Sequence, residues 1–308
     1  MPISFRIFAP KSSLRPRLAC EITPAGVIAA RQSANGSSDG GVVVAFSPLP
    51  AGTVNPGLAD ANFADQPTVV TALKKALDEV AARDKQLTLV IPDAAVRVLL
   101  MDFDTLPAKV QEALPIVRFR LKKLAPFEVD DAAVSYQVLR QESEQTKVLA
   151  TVMPGAIRAE YESAVRAAGY EPGVVLPATL ASLAALPAEG ASLVINHNGY
   201  SLTTAITKGD ELLLHRTLEL PAGDELRQEE LARIVSVAMA YFEDTLQMQP
   251  NVLNYVGPGG AQEFRRVLGP AIEEYGLNVR DLVPGPSFGV LTPMTQGLVA
   301  GVVGALAN

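Results

Sequence analysis

The chain has 308 residues, 48% of them apolar and 19% charged, and its 26 basic and 33 acidic side chains leave a net charge of −7. That length corresponds to about two ordinary domains, and the apolar share excludes an intrinsically disordered chain. The acidic balance excludes a general nucleic-acid binder, while one cysteine (Cys20) and two histidines (His197 and His215) exclude an intramolecular disulfide and leave no set for a cysteine- or histidine-rich metal centre.

Met1 to Leu18 carries Arg6, Lys11, Arg15 and Arg17 but no apolar run of signal-peptide length. Strands are predicted at Leu18–Ile22, Val27–Arg31 and Gly41–Phe46, with a polar loop at Ser33–Gly40 between the second and third. A proline- and glycine-rich loop, Ser47–Gln66, leads to a helix whose Val69, Leu73, Leu77 and Val80 recur at the 3.6-residue period.

A different unit follows. Leu87–Ile91 and Val96–Phe103 are β-rich, and Leu114, Val117, Leu121 and Leu124 then fall on one helix face. Strands Ala133–Leu139 and Lys147–Val152 flank a polar turn, and a helix with Ile157, Tyr161, Val165 and Ala168 stops at Gly169. This reads as an α+β insertion.

The opening plan then repeats. Strands Ser192–Ile195, Leu202–Thr207 and Leu212–Leu218, the last two joined by a Lys208-Gly209-Asp210 turn, precede a helix from about Asp224. Three strands and a helix, twice over, predict a duplicated α/β lobe. Gly297–Ala307 is too short to span a membrane and reads as a buried helix whose glycines allow close packing.

Chemical motifs are few. Gly285-Pro286-Ser287-Phe288-Gly289 matches a hydrolase nucleophile elbow, but both histidines precede Ser287 and its flanking prolines fit a loop, so the match is accidental. Asn35-Gly36-Ser37 fits a glycosylation sequon without weight here. The acidic pairs Asp102/Asp104 and Asp130/Asp131 have no neighbouring pattern for acid–base or two-metal work. Arg118, Arg120, Lys122 and Lys123 form the one dense basic cluster, a solvated helix face or a docking surface for an acidic or membrane-proximal partner.

Residues 114–127 (LPIVRFRLKKLAPF), 134–139 (VSYQVL), 148–172 (VLATVMPGAIRAEYESAVRAAGYEP) and 176–186 (LPATLASLAAL) resemble the type IV pilus assembly protein PilM family. The resemblance implies an actin-like α/β fold of two ribonuclease-H-like lobes with an inserted subdomain in the first. The expected division is 1–86 first lobe, 87–170 inserted α+β subdomain, 171–190 first-lobe return and 191–308 second lobe. It also implies a cytoplasmic adaptor, peripheral to the inner membrane, which binds the short cytoplasmic N-terminal tail of a PilN-like membrane protein and joins other assembly-platform proteins. Arg118, Leu121, Lys122 and Phe127 are the expected peptide-groove residues.

The family's cleft ligand is ATP with magnesium, held by an Asp-x-Gly loop in each lobe. Here the first position reads Glu21-Ile22-Thr23 and the second Asn196-His197-Asn198-Gly199, so the second carboxylate is lost. Gly257, Gly259 and Gly260 resemble the adenosine-contacting glycine loop. A carboxylate organises magnesium and its waters, and glycine lets amides approach phosphate. The expected cleft (Glu21, Thr23, Asn196, Asn198, Gly199, Gly257, Gly259 and Gly260) is therefore degenerate, no cofactor is expected, and the chain is not expected to be an enzyme. The alternative reading is an actin-like protein whose bound ATP controls partner binding. A sugar-kinase-like enzyme would need a catalytic aspartate that no sequence neighbourhood nominates.

Overall fold

The structure is a computed structural model that describes residues 16–32, 41–142, 144–187, 190–221, 223–250, 252–269, 272, 275–284 and 297–307. The Ser33–Gly40 loop and the Ser287 motif lie outside the described residues.

The first sheet contains β1 (Leu18–Thr23), β2 (Gly26–Gln32), β3 (Val42–Pro48), β4 (Gln86–Ile91) and β8 (Glu171–Pro177), in the order β3-β2-β1-β4-β8. The second contains β9 (Ala191–His197), β10 (Ser201–Lys208), β11 (Glu211–Glu219), β12 (Val252–Val256) and β13 (Asn278–Asp281), in the order β11-β10-β9-β12-β13. In each, three antiparallel strands are followed by two that add in parallel. The helices repeat as well. Helix α1 (Gln66–Val80) separates β3 from β4, and α5 (Asp224–Asp244) separates β11 from β12. Helix α3 (Gly155–Ala167) precedes β8 as α6 (Gly260–Leu268) precedes β13. Helix α4 (Ala178–Leu183) ends the first unit and α7 (Ala300–Leu306) the second.

Burial follows the expected periods in three of the helices. Of the face expected from Leu114, Val117, Leu121 and Leu124 only Val117 and Leu121 are buried, since that helix ends at Leu121 and leaves Leu124 exposed. Val69, Leu73, Leu77 and Val80 of α1 are buried with Asp65 capping the helix through the Thr68 amide at 3.1 Å. Strand β4 is buried along all but its first residue, as a central parallel strand covered on both faces must be. The second-lobe core gathers Leu231, Ile234, Val235 and Phe242 of α5 against β9, β10 and β12.

Two expected boundaries are corrected. The inserted unit is narrower than 87–170. Strand β4 lies between β1 and β8 in the first-lobe sheet, and Ile157, Tyr161 and Val165 of α3 share the first-lobe core with α1. What is inserted is β5 (Arg97–Phe103), α2 (Val110–Leu121), β6 (Ala133–Gln141) and β7 (Thr146–Met153), a three-stranded sheet in the order β5-β7-β6 with its own core. The second lobe, expected to run through 308, gives up its last helix. Val299, Val302, Ala305 and Leu306 pack with Ala178 and Ala181 of α4 against Ala19, Ile28 and Val90 of the first-lobe sheet. Burial on that face outweighs sequence proximity. Among the described residues no helix is long and apolar enough to cross a membrane.

Candidate functional site

The duplicated sheets bring their first hairpins together at the junction of the lobes. In the β1–β2 turn, Thr23 Oγ1 donates to the Gly26 carbonyl at 2.9 Å and accepts the Gly26 amide at 3.1 Å. In the β9–β10 turn, Asn198 Oδ1 accepts the amides of Tyr200 (3.0 Å) and Ser201 (2.8 Å) and the Ser201 hydroxyl (3.2 Å). Gly199 supplies the left-handed conformation, φ +90°, at the turn's apex. In each turn a side-chain oxygen thus accepts from the turn's own backbone amides, as an anion bound there would.

Between the turns lies a buried polar network that joins the lobes. Asp93, just after β4, accepts the Thr179 amide on both carboxylate oxygens (3.2 and 3.3 Å) and the Thr179 hydroxyl at 2.5 Å. Asn196 of the second lobe donates its amide to Thr179 Oγ1 at 3.0 Å and to Asp93 Oδ2 at 3.4 Å. Burial raises Asp93 to about 6, against hydrogen bonds from Thr179 and Thr203 that pull it down.

Glu21 is more extreme. Burial, and then the charge of Asp93, raise it to about 8. Its Oε2 is buried without a hydrogen-bond partner among the described residues, and a Cβ on Gly301 of α7 would overlap that carboxylate. The space lined by Glu21, Thr23, Asp93, Asn196, Asn198 and Thr203 is about 10 Å³, room for a single water.

The glycine turn before α6 is also filled from within. Gly259 is left-handed at φ +75°, and Asp281 Oδ1 accepts the Ala261 amide at 2.7 Å, so an internal carboxylate occupies the helix N-terminus. A Cβ on Gly257 would meet the Tyr255 hydroxyl at 2.5 Å and the His197 carbonyl at 2.6 Å, and the Gly257 amide donates to Gly297 O at 2.9 Å. Tyr255 stacks on Phe264 at 4.3 Å and its hydroxyl lies 3.2 Å from His197 Nδ1. Burial, then Arg227, lower His197 to about 4, which keeps the ring neutral at pH 7.

The structure therefore brings Glu21, Thr23, Asn196 and Asn198 around one small cavity, with Gly199 at its hairpin turn. Gly257, Gly259 and Gly260 lie at the α6 turn with Tyr255 and Asp281. Sequence reasoning missed Asp93, Thr179 and Asp281. Asp93 carried a usable signal, a lone carboxylate at the C-terminal end of a parallel strand, but Thr179 and Asp281 had none. Among the described residues no group of three His, Cys, Asp or Glu side chains is placed to hold a metal ion. A magnesium triphosphate does not fit the residues present: the Gly26, Tyr200 and Ser201 amides are engaged, Asn196 carries no charge, and the space between the turns has room for about one water.

The expected peptide-groove residues are engaged within the inserted subdomain. Leu121 is fully buried in the insertion core, and Phe127 packs against the same core. Arg118 donates from one guanidinium nitrogen to the carbonyls of Val129 (2.5 Å), Asp130 (3.2 Å) and Ala132 (3.1 Å), holding the chain segment before β6. Lys122 pairs with Asp130 at 2.5 Å. Leu121 and Arg118 thus serve the subdomain's own structure, while Lys122 stays at its surface in an exposed ion pair.

The paired sheets, each built as three antiparallel strands plus two parallel ones around a shared cleft, decide the architecture. The fold is actin-like. No protein-family model matches this actin-like chain, and no curated protein matches it. Among solved structures it matches the PilM–PilN type IV pilus biogenesis complex at a TM-score of 0.77 and 19% identity, over 94% of this chain and 98% of that one. It also matches the cytoplasmic domain of EpsL, an inner-membrane component of the type II secretion system of Vibrio cholerae (TM-score 0.48, 13% identity, 93% and 94% covered). A Bacteroides thetaiotaomicron protein with an actin-like ATPase fold matches at a TM-score of 0.49 and 11% identity, over 91% and 93%. These last two likenesses are too loose to carry an argument. The first shows that the chain shares its fold with a chain of that complex.

Proposed function

We propose that the chain is a non-catalytic adaptor of type IV pilus or related secretion assembly, which binds the cytoplasmic tail of a PilN-like inner-membrane protein and keeps its interlobe cleft closed without nucleotide. The observation that carries the non-catalytic half is the internal filling of the cleft. Thr23 and Asn198 engage amides of the two hairpin turns, Asp281 engages the amide at the glycine turn before α6, and Asn196 bonds across the lobes to Asp93 and Thr179. The fold likeness to the PilM–PilN complex supports the partner half.

With Leu121 buried in the insertion core, Phe127 packed against it and Arg118 bonded to the segment before β6, the seat we assign to the tail is the open edge of β6. Among the described residues that strand pairs only with β7. An extended peptide added there gains main-chain hydrogen bonds and specificity from alternate side chains. The test is amide hydrogen exchange of the protein with a synthetic peptide of the partner's tail. Slowed exchange along Ala133–Gln141 is expected. Protection confined to another element would move the seat, and no protection anywhere in a folded sample at saturating peptide would reject the partner.

A further inference from the structure

Helix α2 has a second apolar face that the described residues leave exposed. Its inner side buries Ala113, Val117 and Leu121 against the inserted sheet. On the outer side Phe119 is 65% exposed and Ile116 41%, and Leu124, in the turn that follows, is 50% exposed. Singly exposed apolar residues are ordinary, but bulky ones grouped on one element mark a contact surface. Arg120 and Lys123 stand among them, both exposed, and neither has an ion-pair partner among the described residues. Lys123 Nζ lies 5.2 Å over the Phe119 ring instead. The fold engages the helix's other two cations, Arg118 and Lys122, and leaves this pair free.

Charge singles out the same face. The whole chain is acidic, yet residues 110–124 hold four cations against Glu112, which is itself paired with Lys109 at 3.2 Å. Because exposed charges are screened beyond about 8 Å at physiological salt, a surface meeting α2 feels the local cations rather than the distant net charge.

We propose that this face of α2 docks on an anionic lipid surface. The outside of a helix is convex, so a protein partner would have to supply a matching groove, whereas headgroups and acyl chains conform to it. Phe119, Ile116 and Leu124 enter the boundary between headgroups and chains, and Arg120 and Lys123 remain at the level of the phosphates. Three apolar side chains and two cations give weak, reversible and salt-sensitive attachment. The surface is separate from the β6 edge, so its success or failure does not decide the peptide reading.

The test is flotation of the full chain with phosphatidylglycerol vesicles and with phosphatidylcholine vesicles. Binding to phosphatidylglycerol at low salt is expected, falling at least about fivefold on phosphatidylcholine or at high salt. Two variants, I116S/F119S and R120E/K123E, change only exposed side chains, and thermal melts verify that both are folded. Each is expected to lower the bound fraction at least about fivefold. No binding to phosphatidylglycerol at low salt overturns the proposal, and so does undiminished binding of both folded variants. Self-association without vesicles that I116S/F119S abolishes would assign the face to a second copy of the chain and also overturn it.

Discussion

Glu21 is a carboxyl group whose protonated form the fold prefers, and that has a measurable consequence. Its folded value is about 8 against an ordinary 4.5, so between those values the folded state keeps a proton that the unfolded chain has released, and stability falls as pH rises. Asp93 acts in the same direction between 3.8 and about 6. The buried His197 and His215, each lowered from 6.5 to about 4, act oppositely between those values. From pH 6.5 to 8 Glu21 alone of these groups still titrates. The wild type is expected to lose on the order of 2 kcal/mol over that window, and Glu21→Gln to remove the loss. Denaturant melts at pH 6.5 and 8 check this, and an equal loss in the variant would contradict it. Asn196 belongs to the same network. Asn196→Asp restores the carboxylate of the actin-like pattern but sets a third acidic group beside Asp93 and Glu21 and removes the amide donor across the lobes. A loss of about 2–4 kcal/mol at pH 7, recovering toward pH 5, is expected in the same melts. A variant as stable as wild type would show that the interlobe bonds contribute nothing.

Elements were legible in the sequence where their periodicity was local. The two runs of three strands and a helix could be read because alternation and the 3.6-residue period need only neighbouring residues. The sheet that Leu87–Ile91 joins could not be read. A central parallel strand is a continuous apolar run, and its partners β1 and β8 come from distant parts of the chain. For the same reason the insertion's true borders were hidden. The Ser47–Gln66 loop was recognised as a loop, but its fastening was not: Glu160 of α3 accepts the amides of Asn62 (2.8 Å) and Phe63 (2.9 Å). In the candidate site, Glu21 and Asn196 stood out because they depart from a pattern, whereas Gly301 gave no sign that it faces Glu21 from the other end of the chain. Gly301→Ala tests that packing. Its Cβ would overlap the Glu21 carboxylate, so a loss of about 1–3 kcal/mol in thermal melts is expected, where a helix-interior glycine in open space would instead gain about 1 kcal/mol. A gain in stability would show that α7 does not press on β1 in this way.

At the scale of the molecule the two lobes are held together by several independent contacts. Helix α7 crosses from the second unit to cover the first-lobe sheet. The network of Asp93, Thr179 and Asn196 joins the lobes beneath the hairpin turns. Lys147 of the insertion lies 3.4 Å from Glu211 of the β10–β11 hairpin. An actin-like machine that cycles with nucleotide must open and close such contacts, and here Asn196, Asp93 and Thr179 hold them with buried hydrogen bonds of the chain's own. Partner binding should therefore be independent of nucleotide. The direct measurement is calorimetric titration of the protein with the partner's cytoplasmic tail peptide, run with and without millimolar Mg·ATP. Saturable binding of roughly micromolar affinity, unchanged by Mg·ATP, is the predicted result, in keeping with the ordering cost of a disordered tail. Binding that appears only with Mg·ATP, or an affinity that shifts tenfold when it is added, would contradict the account.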